Sequence, residues 1–330
     1  MKIAIVYSLP SRRMMATKYG ETDEDSAVIA AKVKLGLESK GMETATYVIG
    51  EDKIEEIETI KADCIFNLIE WCGLDIELSQ RAFECLRKLQ IPVTGSSEEL
   101  FVLTGDKTRV KQELQKMGYP TPQGQVFESG EEVVIPLEYP VIVKPSLEHC
   151  STGLTYDSIA QSEGELRTIV KRQIRAFNQS ALAEEFVVGR ELLVYLLQEK
   201  DKVRVLPIEE VVFSSDNPLS FQTYQSKWEV DHPDYQTSTV VVAKLSKDEK
   251  SKVEDVCIKI FRELGFSGYA RFDLRLKDGI PYVLETNANP SVYDGDGSLS
   301  DPNEEVIPGI KFNDYLATIV ETAIYQFGLH

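Results

Sequence analysis

The sequence predicts an α/β chain: an N-terminal domain built on a parallel sheet, followed by mixed helices and strands that end in a hairpin and a terminal helix. Three observations carry this. Strand-like and helix-like patterns alternate over the first hundred residues, which implies parallel strands joined by crossover helices. Composition shifts after Gly118, where Pro120 and Pro122 mark a seam. At roughly 100–200 residues per domain, 330 residues make two domains, or three small ones sharing interfaces.

The elements follow in order. Residues 2–7 form an apolar strand. Residues 25–40 form a helix with Val28, Ala31 and Leu35 on one face and Gly41 as its stop. Residues 44–49 are a second strand, 53–61 an acidic helix, 64–68 a third strand, 78–89 a helix and 92–95 a short strand. No G-x-G-x-x-G follows the first strand, so a dinucleotide site lacks its fingerprint. Thr104 is the expected N-cap of the next helix, which ends at Gly118. Residues 140–144 read as a strand and 163–176 as a helix, then 182–187 and 190–197 as strands divided by Gly189. Residues 214–235 have little periodicity and many polar or aromatic side chains, the pattern of an active-site lid. A helix at 247–264, a hairpin at 269–287, an irregular Gly/Asp-rich stretch at 289–308 and a helix at 312–327 complete the chain.

Composition excludes several classes. With 36 Lys plus Arg against 54 Asp plus Glu, the net charge is −18, which opposes binding to phosphate backbones or anionic lipid. A nucleic-acid partner is not expected. Hydrophobic residues at 42% are enough for a substantial core, so disorder is excluded as the main state. The longest purely apolar run, residues 192–197, is far short of the roughly 20 needed to cross a bilayer. The N-terminus lacks the hydrophobic core of a secretion signal, and the five cysteines are odd in number and have no C-x-x-C pair. The expectation is a cytoplasmic protein with reduced, mostly buried thiols.

The sharpest chemical signal runs from Arg271 to Pro290. On a strand, Arg271, Asp273 and Arg275 point one way while Phe272, Leu274 and Leu276 face the core. The partner strand puts Val283, Glu285 and Asn287 on one face. Placing Asp273 across from Glu285 requires a three-residue connection, Asp278 to Ile280, with Gly279 free to take positive φ. A two-residue Asp-Gly turn would set the carboxylates on opposite faces. Two carboxylates and an amide oxygen form a hard donor set suited to Mg2+, with Mn2+ as a substitute. The alternative is a solvated hairpin face whose charges pair across strands.

Upstream, Lys144 ends an apolar strand and leads into a small-residue turn, where backbone N–H groups from Ser151 to Gly153 can cradle phosphate. It is not a Walker loop, and a strand-end lysine also reaches water readily. The acidic pair Glu184 and Glu185 joins the next strand through Gly189. This segment offers an adenine edge contact and, at Glu191, a ribose contact, or else an edge strand with solvated charges.

In this order and spacing, these segments resemble the ATP-grasp superfamily and, within it, the D-alanine–D-alanine ligase branch. The resemblance extends from about residue 60 to 300. It is specific at Asp106-Lys107, at Lys144-Pro145-Ser146 with Ser151 and Gly153, at Glu184 to Glu191, and at Arg271-x-Asp273 with Glu285-x-Asn287. It implies an N-terminal parallel-sheet domain (1–103) followed by a two-subdomain α+β ATP-grasp fold (104–188 and 189–330). It implies an enzyme that activates a carboxylate as an acyl phosphate, which an amine then attacks. The implied nucleotide contacts are Lys107, Lys144, Ser151, Glu184, Glu185, Val187, Glu191 and Lys227. Asp273, Glu285 and Asn287 would hold magnesium, while Arg271, Lys227 and Ser151 would act in catalysis, with Arg271 stabilising the tetrahedral intermediate. Glu148, Ser298 and Leu299 would meet substrate. The partners implied are small amino acids, and dimerisation, common in the family, implies a homodimer as one option with no legible interface.

The chain also departs from that pattern. Trp228 stands where the family commonly has tyrosine in the lid motif Tyr224-Gln-Ser-Lys227-Trp228, and an indole has no phenolic hydroxyl. The family's Gly-rich loop, with a glutamate for the first substrate's amino group, is replaced by residues 8–25, which carry Arg12, Arg13, Glu21, Asp23, Glu24 and Asp25. Residues 291–299 are longer and more acidic than the ligase turn. Three functions follow: a ligase making D-alanyl-D-alanine, a ligase of the same fold joining other amino acids or small acids, or a regulatory module that binds ATP without catalysis.

Overall fold

The computed structural model describes residues 1–17, 19, 26–132, 134–235, 237–292 and 301–328. Its described strands form three sheets. In the first, β1 (Lys2–Ser8) lies between β2 (Glu43–Ile49) and β3 (Cys64–Leu68), all parallel, with Ile3 beside both Thr44 and Cys64. A four-residue helix, α1 (Arg12–Met15), follows β1, and α2 (Ser26–Ser39) returns to β2. A 3-10 segment (Ile54–Thr59) precedes β3, and α3 (Ile76–Lys88) comes after it. Odd residues of β1, Ile3 and Ile5, join one core with α2 and the C-terminal helix. Even residues, Ala4 and Val6, join another with Ala82, Phe83 and Leu86 of α3. Burial on both faces is why β1 is apolar without alternation.

Several elements differ from expectation. The face of α2 that is buried consists of Ile29, Ala30, Val33, Gly36 and Leu37, whereas Val28, Ala31 and Leu35 are exposed. Both sets repeat at helical spacing. The choice is made by the C-terminal helix, whose Leu316 approaches so closely that a Cβ on Gly36 would lie 2.6 Å from its Cδ1. The 53–61 helix is the shorter 3-10 segment. Residues 92–95 form only an isolated parallel bridge between Val93 and Ile65. Thr104 closes the short helix α4 (Glu98–Thr104) instead of opening the next one. Asp106 caps α5 (Lys107–Lys116), accepting from the amides of Thr108 and Arg109. A carboxylate accepts two amides and favours the positive helix end, so it outcompetes the hydroxyl two residues earlier.

The second sheet has the order β4 (Gly124–Phe127), β7 (Ala181–Glu185), β5 (Val141–Pro145), β6 (Ile159–Ala160), covered by α6 (Glu163–Phe177). In the third, β11 (Ser238–Val242), β10 (Glu209–Phe213), β8 (Arg190–Glu199), β12 (Tyr269–Lys277) and β13 (Ile280–Ala288) run antiparallel, and β9 (Lys202–Val205) pairs with β8. Residues 214–237 are an excursion between β10 and β11, closed at the base by a hydrogen bond from the Ser214 amide to the Thr237 carbonyl (2.8 Å) and containing α7 (Tyr224–Trp228). One face of this sheet, with Leu192, Val194, Leu196, Phe272 and Leu274, packs on α8 (Lys247–Leu264), and Leu100 and Leu114 of α4 and α5 share that core. The terminal helix α9 (Phe312–Phe327) buries Phe312, Leu316 and Val320 with residues of the first sheet and with Tyr195, Leu197 and Tyr269 of the third. The remaining surface of the third sheet is left for polar chemistry.

Candidate active site

That polar surface begins at the β12–β13 hairpin. Asp273 pairs with Glu285 and Arg271 with Asn287, as the face argument requires. The connection, however, is the two-residue turn Asp278-Gly279 (φ 51° and 73°), with Lys277 opposite Ile280. The register shifts between Asp273 and Leu274, where Leu284 is the extra residue of a β-bulge. The three-residue turn is therefore corrected: the bulge supplies the one-residue offset that the turn does not, and it brings the carboxylates onto one face.

Arg271 Nε lies 2.9 Å from Asp273 Oδ1 along the same strand. Burial pushes the Asp273 carboxyl up; Arg271 opposes this and the facing Glu285 adds to it. Burial alone would raise Glu285 too, but Lys107 and a hydrogen bond from His149 hold it well below the usual carboxylate range. Lys107 Nζ, at the start of α5, is 3.7 Å from Glu285 Oε1 and also donates to the Glu148 carbonyl. Two adjacent carboxylates with opposite shifts mark a functional site more than an ordinary surface.

Beside this pair is a second buried cluster. Glu184, 1% exposed, receives Lys144 on Oε1, and Lys111 Nζ lies 2.7 Å from its Oε2. Burial would raise Glu184, but the two lysines bring it below its ordinary value. Burial lowers Lys111 to about 8 despite its carboxylate partner. Glu191, expected at ribose, is bound to Arg275 at 2.6 Å, and burial outweighs that arginine and Lys227 to raise it.

The lid segment is docked on the phosphate-type loop. Ser151 Oγ donates to the Gln222 carbonyl (2.9 Å), the Tyr224 amide to Leu154 (2.9 Å) and the Trp228 indole to Cys150 (3.0 Å). Arg275 donates to the Ser220 and Gly189 carbonyls and stacks on Phe186, so one buried guanidinium ties the lid to β8. Lys227, on α7, is near enough to Glu191 and Asp273 to oppose the rise that burial imposes on both, without cancelling it.

The structure thus gathers Lys107, Arg271, Asp273, Glu285 and Asn287 on one side, with Lys144 and Glu184 beside them and Ser151 and Lys227 on the closing loops. Glu185 instead accepts from the Glu138 amide, and Val187 is half-buried just beyond β7. Glu148 is 5% exposed, held by Gln179, with Arg13 4.0 Å away. Ser298, Leu299, Glu21, Asp23, Glu24 and Asp25 lie outside the described residues. Sequence reasoning missed Lys111, His149 and the bidentate Arg13–Asp75 pair. Lys111 was signalled by its i+4 spacing from Lys107, which puts both on one helix face. The other two depend on contacts distant in sequence.

The model of the D-ala D-ala ligase C-terminus matches residues 112–321, more than half of the chain. The chain belongs to the D-alanine–D-alanine ligase family. A D-alanine–D-alanine ligase of Aromatoleum aromaticum is 33% identical over 242 residues, 72% of each chain. An uncharacterized protein of Sinorhizobium fredii is 33% identical over 230 residues, 69% of this chain and 66% of that one. Among solved structures, the ligase of Bacillus anthracis complexed with ATP aligns with a TM-score of 0.75 at 21% identity, covering 100% of this chain and 98% of that one. The overall architecture is therefore the expected one, a parallel-sheet domain followed by a two-part ATP-grasp fold. No helix among the described residues is long and apolar enough to cross a membrane.

Proposed function

We propose that this protein is an ATP-dependent carbon–nitrogen ligase that activates a small carboxylate and joins it to an amine, with D-alanyl-D-alanine as the leading product. One observation carries the reading: Asp273 and Glu285 face each other with Asn287 on the same side, and Lys107 is 3.7 Å from Glu285. ATP would lie between the units at 104–188 and 189–330. The donor set fits Mg2+, since it is all oxygen, and the buried Asn287 amide nitrogen has no hydrogen-bond partner among the described residues. Asp273, Glu285 and Asn287 would hold the ion, which when bound supplies charge neutralisation at the phosphates. Lys107, Lys144 and Lys227 would bind phosphate oxygens, taking over from the carboxylates they now face. Arg271 would sit where negative charge develops as the amine attacks. The docked lid keeps water from the activated acid. Dispersed cysteines, none of them in a disulfide, support a cytoplasmic setting.

A second reading, the same chemistry on other small acids or amino acids, is supported by the Arg13–Asp75–Glu148 cluster, because Arg13 belongs to the 8–25 segment that stands where the family reads its first substrate. ATP with a panel of D- and L-amino acids, followed by phosphate release, separates the readings. Turnover with no D-amino acid pair removes D-alanyl-D-alanine. Nucleotide binding without turnover on any substrate would favour a regulatory module.

Trp228→Phe keeps the aromatic bulk but removes the donor to Cys150. A hydrogen bond worth about 1 kcal/mol in lid closure should raise KM for ATP about fivefold with little change in kcat, measurable in steady state.

A further inference from the structure

We propose that His149 is a positioning residue for the divalent cation, acting through Glu285. The inference rests on Asp273, Glu285 and Asn287 being the metal ligands. His149 Nδ1 lies 2.9 Å from Glu285 Oε1 and Nε2 lies 3.3 Å from the Gly105 carbonyl, so the ring spans the gap between the entry to α5 and strand β13. A carboxylate oxygen only accepts, so Nδ1 carries the proton in the shorter bond. Lys107 approaches the same oxygen at 3.7 Å. Both groups therefore engage Oε1, and Oε2 is the oxygen left for a cation.

The loop geometry serves this placement. Cys150 and Ser151, immediately after His149, both have positive φ (55° and 61°), so the chain turns sharply there. The imidazole points back to β13 while residues 151–154 continue to the lid, and the side chain is only 19% exposed. Mg2+ demands near-ideal octahedral geometry and is served by a carboxylate offering one oxygen in a fixed direction. A donor that occupies the other oxygen sets that direction, as groups behind metal ligands commonly do. His149 also carries the effect of the phosphate-type loop to the metal face, since it is part of one and bonded to the other.

The test is Mn2+ binding to the full chain with a non-hydrolysable ATP analogue, followed by electron paramagnetic resonance of the free ion. His149→Ala should weaken Mn2+ binding about 10–100-fold. His149→Gln, whose amide N–H can reach the same carboxylate, should recover most of the loss. Glu285→Ala should weaken binding at least as much as His149→Ala, and the double variant should bind no more weakly than Glu285→Ala alone, because His149 has nothing left to position. If His149→Ala binds like the wild type while Glu285→Ala is impaired, the inference fails and the metal reading stands. If Glu285→Ala binds like the wild type, the metal reading itself fails. Losses that add fully in the double variant, or a glutamine variant as weak as alanine, would show that His149 acts only through the fold and would overturn the proposal.

Discussion

Replacing Glu285 by alanine is expected to lower turnover by about a thousandfold, roughly 4 kcal/mol of transition-state stabilisation, without unfolding the protein. The carboxylate faces Asp273 and receives His149 and Lys107, so its loss removes a proposed metal ligand and disturbs two groups around it. It contributes little to the core, because Val283 and Ala288 of the same strand make the apolar contacts. Burying two neighbouring carboxylates is itself unfavourable, and Asp273, raised partly by Glu285, would relax towards its ordinary value once the partner is gone. Parallel assays of phosphate release and thermal unfolding check both halves. Wild-type activity in the alanine variant would refute the role of Glu285; a collapsed melting curve would show that the residue is structural.

Glu184→Ala has the opposite character: its main cost is to stability, about 3–5 kcal/mol, because it leaves Lys111 and Lys144 buried without a counter-charge. Adding Lys111→Met should recover part of the loss by removing one orphaned charge. The pH dependence has a definite sign. Lys111 in the folded protein titrates at about 8, below its ordinary 10.5, so it is charged below pH 8 and loses its proton above it. A neutral amine needs no partner, so the deficit of Glu184→Ala relative to wild type should shrink as pH rises from 7 to 9. Denaturant midpoints of both proteins at the two pH values measure this, and a deficit that grew with pH would contradict the pairing.

Much of the fold was legible because its signals are local. The helices at 247–264 and 312–327 fall where the sequence pattern places them, and in the folded chain Ser246 and Glu249 form a capping box for the first. Strands β1 and β3 are apolar and buried on both faces, which a sheet covered by helices on both sides requires, whereas β2 lies at the edge and is largely exposed. Strands β4, β6, β9, β10 and β11 were missed, since they are short or, like β11 with its exposed Val240 to Val242, make sense only beside a partner strand. The reversed face of α2 has the same origin: two apolar stripes compete in the sequence, and Leu316, nearly three hundred residues later, selects one.

For the site, strand alternation by itself determined that Arg271, Asp273 and Arg275 share a face away from the core, since a pleated backbone leaves them no other choice. What brings Glu285 opposite Asp273 is tertiary. The two-residue turn alone would misplace it, and the bulge at Leu284, on the edge strand β13, restores the offset. Likewise only the folded chain brings His149 to Glu285 and Lys111 to Glu184, because a hydrogen bond across 136 residues, or a buried ion pair, depends on where the backbone has already placed its partners.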